Sequence, residues 1–423
     1  MPLRDPSRQF LSAALVHLTF AGLLVALEPW DQVLTVRWNA LLWLLLIGFV
    51  GLTTMGFVLH LFPPISRRLL PIGPVERAAF PIAEGAVVLG TLGAAVPLPW
   101  AIPWWVFPLG AFLYLLCVVI LLARFVRMVR SPRLRTGEPT LRPGDMISVP
   151  LFLAAWVAAA AAGCLFVLSG VEYGPDFGWW LAAVHTFVLG HVVLLILAVS
   201  LRLVPRSLGA DPPRAAVPIL AGLGITGAVL VPLGMLVSDP AVPDLLEWFA
   251  LPEAALAWGF FAVLSYLGLR ARTPRRQLAL HLLGVGFFVV GGGIGLAMLF
   301  TGDYTWVDAH ALVNVLGFVG ITIFLMWFGM IAPFQRLSHA WTARMLWSLA
   351  SVWVVVVVTV ATAAVTDPAP SAWLFGLIGG LFAAVALSLA LGTLPVLYPT
   401  SLNPLPGVPI DRTRRWRDRW HRT

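Results

Sequence analysis

Gly48-Phe-Val-Gly-Leu-Thr53 stands near the middle of the mainly apolar stretch 38–63, which runs from Trp38 to Pro63. Nearly the same six residues return as Gly317-Phe-Val-Gly-Ile-Thr322 in the stretch 308–333, which ends at Pro333. Each stretch exceeds the roughly 20 mainly apolar residues that a helix needs to cross a bilayer. Glycines inside such a helix let a neighbouring backbone come close. A membrane helix that packs by its glycines is therefore the unit from which the rest of the chain is read.

The same length criterion, carried outward, predicts twelve spans. Besides 38–63 and 308–333 they lie near 10–28, 78–98, 101–125, 147–169, 177–204, 215–237, 245–269, 279–301, 344–365 and 372–398. Proline and glycine punctuate the connections, as in Pro97–Pro103, Pro132–Pro143 and Pro212–Pro213. Of the 423 residues 60% are hydrophobic and only 11% charged, against roughly 25% charged in a soluble domain. The mean hydropathy of +0.93 leaves no room for a sizeable soluble domain. The expected fold is an all-α membrane protein, a single integral domain over 1–423 that ends in a basic cytoplasmic tail at 399–423. The N-terminus lacks the pattern of a removable signal peptide, so Phe10–Glu28 reads as a retained first span.

Charge orients the spans. With the N-terminus inside, 26 of the 27 basic residues fall in cytoplasmic loops or the tail, and only Arg37 falls outside. The opposite loops carry Glu28, Asp31, Glu172, Asp176, Asp239, Asp303 and Asp367 among their acids. That asymmetry is the positive-inside rule, with both termini cytoplasmic. All 27 basic residues are arginine, and the absence of lysine excludes a retinal Schiff base and lysine nucleophiles. The net charge of +8 does not imply nucleic acid once the arginines are mapped. The tail Arg412–Arg422, with Trp416 and Trp420, suits anionic lipid head groups at the bilayer surface. Cys117 and Cys164 both fall inside spans and read as small buried hydrophobes. The wealth of Arg, Ala and Gly suggests a prokaryotic cytoplasmic membrane.

The opening motif recurs a third time, more weakly, as Gly190-His-Val-Val in the sixth span, which ends at Pro205. From glycine to proline the second, sixth and tenth spans measure 15, 15 and 16 residues, and they stand four spans apart. Three four-helix units are expected, over 1–125, 126–236 and 237–398, arranged as pseudo-symmetric arcs.

Ionisable residues within spans persist where they find partners, cofactors or water. They are His17, His60, His185, His191, His281, His310, Glu84 and Glu253; His339 and His421 fall in a loop and the tail. His185 in the outer half of span six and His310 near the outer end of span ten have comparable depth and are expected to meet. His191 lies six residues beyond His185, about 120° round an ideal helix, so the two do not face one metal without distortion. Imidazole ligates haem iron and copper well, but a hydrogen bond to a neighbouring carbonyl is the commoner fate of one such histidine. Glu84, Glu253, His60 and His17 are candidates for a polar path or for structural pairing.

The segment Asp308-Ala-His-Ala-Leu-Val-Asn-Val-Leu-Gly-Phe-Val-Gly resembles the tenth span of subunit I of the haem-copper oxidases, whose relatives include nitric oxide reductases and NnrS-type membrane proteins. The resemblance implies twelve helices in three four-helix arcs, haem b with His310 as an axial ligand, and copper near Gly190-His191. It implies oxygen or nitric oxide as the gas handled and an electron donor or an oxidase subunit as partner. Several ligand positions of that family are changed here. Leu312 stands at the second haem position of span ten, Val192-Val-Leu follows His191, and span seven has no histidine. Span two has none at its outer end. The functional expectation is a membrane haem-binding redox or gas-handling protein with His310 and His185 as cofactor ligands and His191 with His185 as metal ligands. The alternative is a cofactor-free transporter, or a structural or assembly subunit, on the same scaffold.

Overall fold

The computed structural model describes residues 6–27, 34–66, 73–95, 105–130, 143–171, 177–237, 244–271 and 276–326, with scattered helical residues between 344 and 384. The chain is all-helical, and no strand occurs among the described residues. Hydrocarbon offers no water to backbone N–H and C=O groups, so a spanning segment must satisfy its own, as a helix does. Ten long helices are described: α1 (Pro6–Leu27), α2 (Asn39–His60), α3 (Pro74–Ala95), α4 (Val106–Arg130) and α5 (Ile147–Val171), then α6 (Gly178–Leu208), α7 (Ala216–Val237), α8 (Leu245–Arg270), α9 (Leu278–Thr301) and α10 (Val307–Met326). All but α1 and α3 are long and apolar enough to cross a membrane. These ten coincide with the first ten expected spans. The eleventh is described only in part, the twelfth falls mostly outside the described residues, and the tail and Pro333 fall wholly outside them. The protein is a multi-pass helical membrane protein, and large apolar side chains such as Val229, Trp258 and Phe300 stand exposed on its outer helices, where lipid would meet them.

The three helices that carry the glycine motif are the interior ones. Over its most apolar window α2 is buried throughout, α6 over 83% and α10 over 72%, whereas the other five apolar spans are between 28% and 44% buried. A helix apolar on all sides has no solvent face to keep and moves to the centre of a bundle.

All three inner helices widen into a π turn of eight residues, Leu44–Gly51, Thr186–Val193 and Val313–Gly320. The repeat glycine, Gly48, Gly190 or Gly317, is the fifth residue of its turn each time. A π turn bonds residue i to i+5 and disturbs the regular ladder, so nearby carbonyls take side-chain donors. The Thr54, Thr186 and Thr322 hydroxyls donate to Gly51, Ala182 and Phe318 carbonyls at 2.7–2.8 Å. The Trp353 indole donates to the Leu316 carbonyl at 2.7 Å.

Packing at the glycines also repeats. A Cβ on Gly48 would lie 3.0 Å from Cβ of His17 in α1. One on Gly190 would lie 2.6 Å from Cβ of Ala158 in α5, and one on Gly317 would lie 2.7 Å from Cγ of Phe287 in α9. Each inner helix thus uses the same glycine to admit the helix directly before it in the chain.

Candidate functional site

His185 closes the α-helical part of α6, immediately before the π turn, and its Nδ1 bonds the Leu181 carbonyl at 2.9 Å. His310 lies in the first turns of α10, and its Nδ1 bonds the Gly291 carbonyl of α9 at 2.8 Å. A carbonyl only accepts, so Nδ1 carries a proton in both rings, and in the neutral imidazole Nε2 then keeps its lone pair. Neither Nε2 has a hydrogen-bond partner among the described residues. The expected meeting of these two histidines is present: their ring centres are 6.3 Å apart and their planes 19° from parallel.

The slot for His310 is cut by glycines of α9. A Cβ on Gly295 would lie 2.7 Å from Cε1 of His310, and a Cβ on Gly291 would fall on the Asn314 amide. Asn314 in turn donates from Nδ2 to the His310 carbonyl at 2.9 Å. Gly291, Gly295 and Asn314 were not singled out from the sequence. The cluster Gly291-Gly-Gly-Ile-Gly295 and an amide one turn beyond His310 were the available signals.

His191 faces elsewhere. Its Nδ1 bonds the Ala155 carbonyl of α5 at 3.0 Å and its Nε2 lies 3.0 Å from the Thr54 hydroxyl of α2, with Trp156 and Phe187 packed against the ring. Both nitrogens are therefore engaged in protein contacts, and His191 does not join His185 and His310.

His17 and Glu84 pair across α1 and α3, Nε2 to Oε2 at 3.1 Å, while the second Glu84 oxygen is buried without a partner. Glu253 in α8 is 9% exposed and packs against Gly227 of α7; neither of its carboxylate oxygens has a partner. His60 is half-buried on the last described turns that follow the π segment of α2. Of the four candidates for a polar path, His17 and Glu84 thus form one pair and Glu253 stands apart from it.

Among the described residues, no three or more His, Cys, Asp or Glu side chains converge in a way that could hold a metal ion. The donor set that is present is two imidazoles, each fixed through Nδ1 with Nε2 left over. Two such donors could ligate an iron whose other ligands come from a porphyrin, and they fall short of an ion that needs four protein donors. No protein-family model matches the chain, and no curated protein matches it.

Proposed function

We propose that this protein is an integral membrane haem-binding redox or gas-handling protein, on a scaffold like subunit I of the haem-copper oxidases but with a reduced ligand set. The observation that carries the proposal is the His185–His310 pair, two repeat-related inner helices each presenting an imidazole anchored at Nδ1. These two residues would hold haem b, which when bound supplies one-electron chemistry, and gas binding at the iron would need one of the two imidazoles to leave it. The chain's own part is to fix both ring orientations through the Leu181 and Gly291 carbonyls and to keep water out with the apolar shell of α6 and α10. The proposal includes twelve spans in three arcs, both termini on the cytoplasmic side of a prokaryotic membrane, and an electron donor or oxidase subunit as partner. Copper has less support, because both nitrogens of His191 are in use.

The test is a dithionite-reduced minus oxidised spectrum of the purified protein, with metal analysis. A Soret band with stoichiometric iron is expected, and His310→Ala should abolish or shift it. No band and no iron would sink the haem reading. The satisfied His191 and the His17–Glu84 pair favour a second reading, in which the polar residues cement helices of a cofactor-free transporter or assembly subunit. That reading predicts the colourless outcome.

A further inference from the structure

The Gly-Phe-Val-Gly-x-Thr motif contributes more than a packing glycine, because the residues that follow the glycine line a cavity where α2, α6 and α10 converge. Two residues after each repeat glycine, Val50, Val192 and Val319 reach its wall. Five residues after it, Thr53, Leu195 and Thr322 do so. The next residue of each helix, Thr54, Ile196 and Ile323, also lines the wall, and so do Phe57, Val199 and Met326, nine residues after the glycine. Three copies of one pattern thus present the same four positions to one space. Among the described residues the wall takes, apart from these twelve, only Val58 and Phe152.

The cavity has a volume of about 40 Å³. One water needs roughly 10–15 Å³ on this scale, and an engineered apolar cavity of roughly 150 Å³ takes benzene. The space therefore suits a diatomic molecule or a xenon atom. A buried water needs two to four polar partners. Among the described residues the wall presents none: Thr53, Thr54 and Thr322 contribute only carbon to its surface, and the Thr54 and Thr322 hydroxyls bond carbonyls of their own helices. An apolar cavity of this kind stays dry and takes apolar guests.

We infer that the junction of the three inner helices is a binding site for one small, uncharged apolar molecule of diatomic-gas size, built by the threefold glycine motif. The site deepens the gas-handling reading but does not need it, since no iron takes part. Lipid dissolves such molecules better than water does, so a site between membrane helices meets them at their higher concentration.

Crystals of the full chain pressurised with xenon test the inference through the anomalous signal. A xenon peak is expected between Val50, Val192 and Val319, and it should persist in His310→Ala, whatever that variant does to a haem spectrum. Leu195→Phe, which fills the space, should lose the peak. If that variant does not fold, Val192→Ile should lower xenon occupancy at the same pressure. Ordered water in the cavity, no xenon peak in the unaltered protein, or a peak that survives Leu195→Phe each overturns the inference.

Discussion

Gly190 and Ala158 meet with no slack, because a Cβ on Gly190 would lie 2.6 Å from the Ala158 methyl, which has no flexible end to move aside. Gly190→Ala therefore forces α5 and α6 apart. Overpacking costs about 1–3 kcal/mol, more than the roughly 1 kcal/mol that alanine gains over glycine in helix propensity. A lower unfolding temperature in detergent is expected. Gly48→Ala meets His17 at 3.0 Å and should cost less, so equal losses at the two sites would contradict this account. Glu253 gives the opposite sign. Both its oxygens are buried without partners, and removing an unsatisfied polar group without leaving a hole is neutral or stabilising. Glu253→Leu should raise the thermal midpoint, by about 1 kcal/mol or more of stability. A clear loss would mean that the carboxyl serves a partner bound in the working protein.

At the scale of the helix, the π turns decide which residues share a face. An α-helix turns roughly 100° per residue, and the angle expected between His185 and His191 assumed that turn throughout. The segment Thr186–Val193 lies between and around them and winds more widely, so the α-helical angle does not apply. No residue type announces a π turn, which is why periodicity alone missed it. The motif's equal registers were legible, because Gly48, Gly190 and Gly317 are marked by composition and by the prolines that follow. Depth was legible too, and it brought His185 and His310 together. The Gly291 carbonyl and the Gly295 notch were not, since they depend on how α9 is turned about its own axis against α10. A π turn behaves as one residue inserted in an α-helix. Deleting Val188 should relax that turn to α and swing His185 and everything before it away from His310. If the protein binds haem, the variant should lose the spectrum while the equivalent lesion in α2, deletion of Leu46, leaves the two histidines in place. Gly295→Ala is the milder probe: its methyl would press on Cε1 of His310 and should shift the haem band without removing it.

Across the whole molecule, sequence and structure constrain topology from different sides. Charge sorts the loops by sign, whereas the helices fix only how many crossings separate two loops. Both bear on the turns after α6 and after α9, where Gly209 and Gly302 take left-handed backbone with φ of 62° and 67°. These conformations suit glycine and let each helix end sharply. Arg214 stands exposed after the first turn and Asp303 after the second. Three helices, α7, α8 and α9, lie between them, so an odd number of crossings puts the two residues on opposite sides of the membrane. On the proposed orientation, with both termini inside, the Arg214 side is the cytoplasmic one. In cells carrying the chain with Cys164→Ser, a membrane-impermeant maleimide should label Asp303→Cys from outside. Arg214→Cys should label only after the membrane is opened. Cys117 is buried and stays silent in both. Labelling of both sites from one side would mean that one of the three helices does not cross, and the reverse pattern would invert the orientation while leaving the helix count intact.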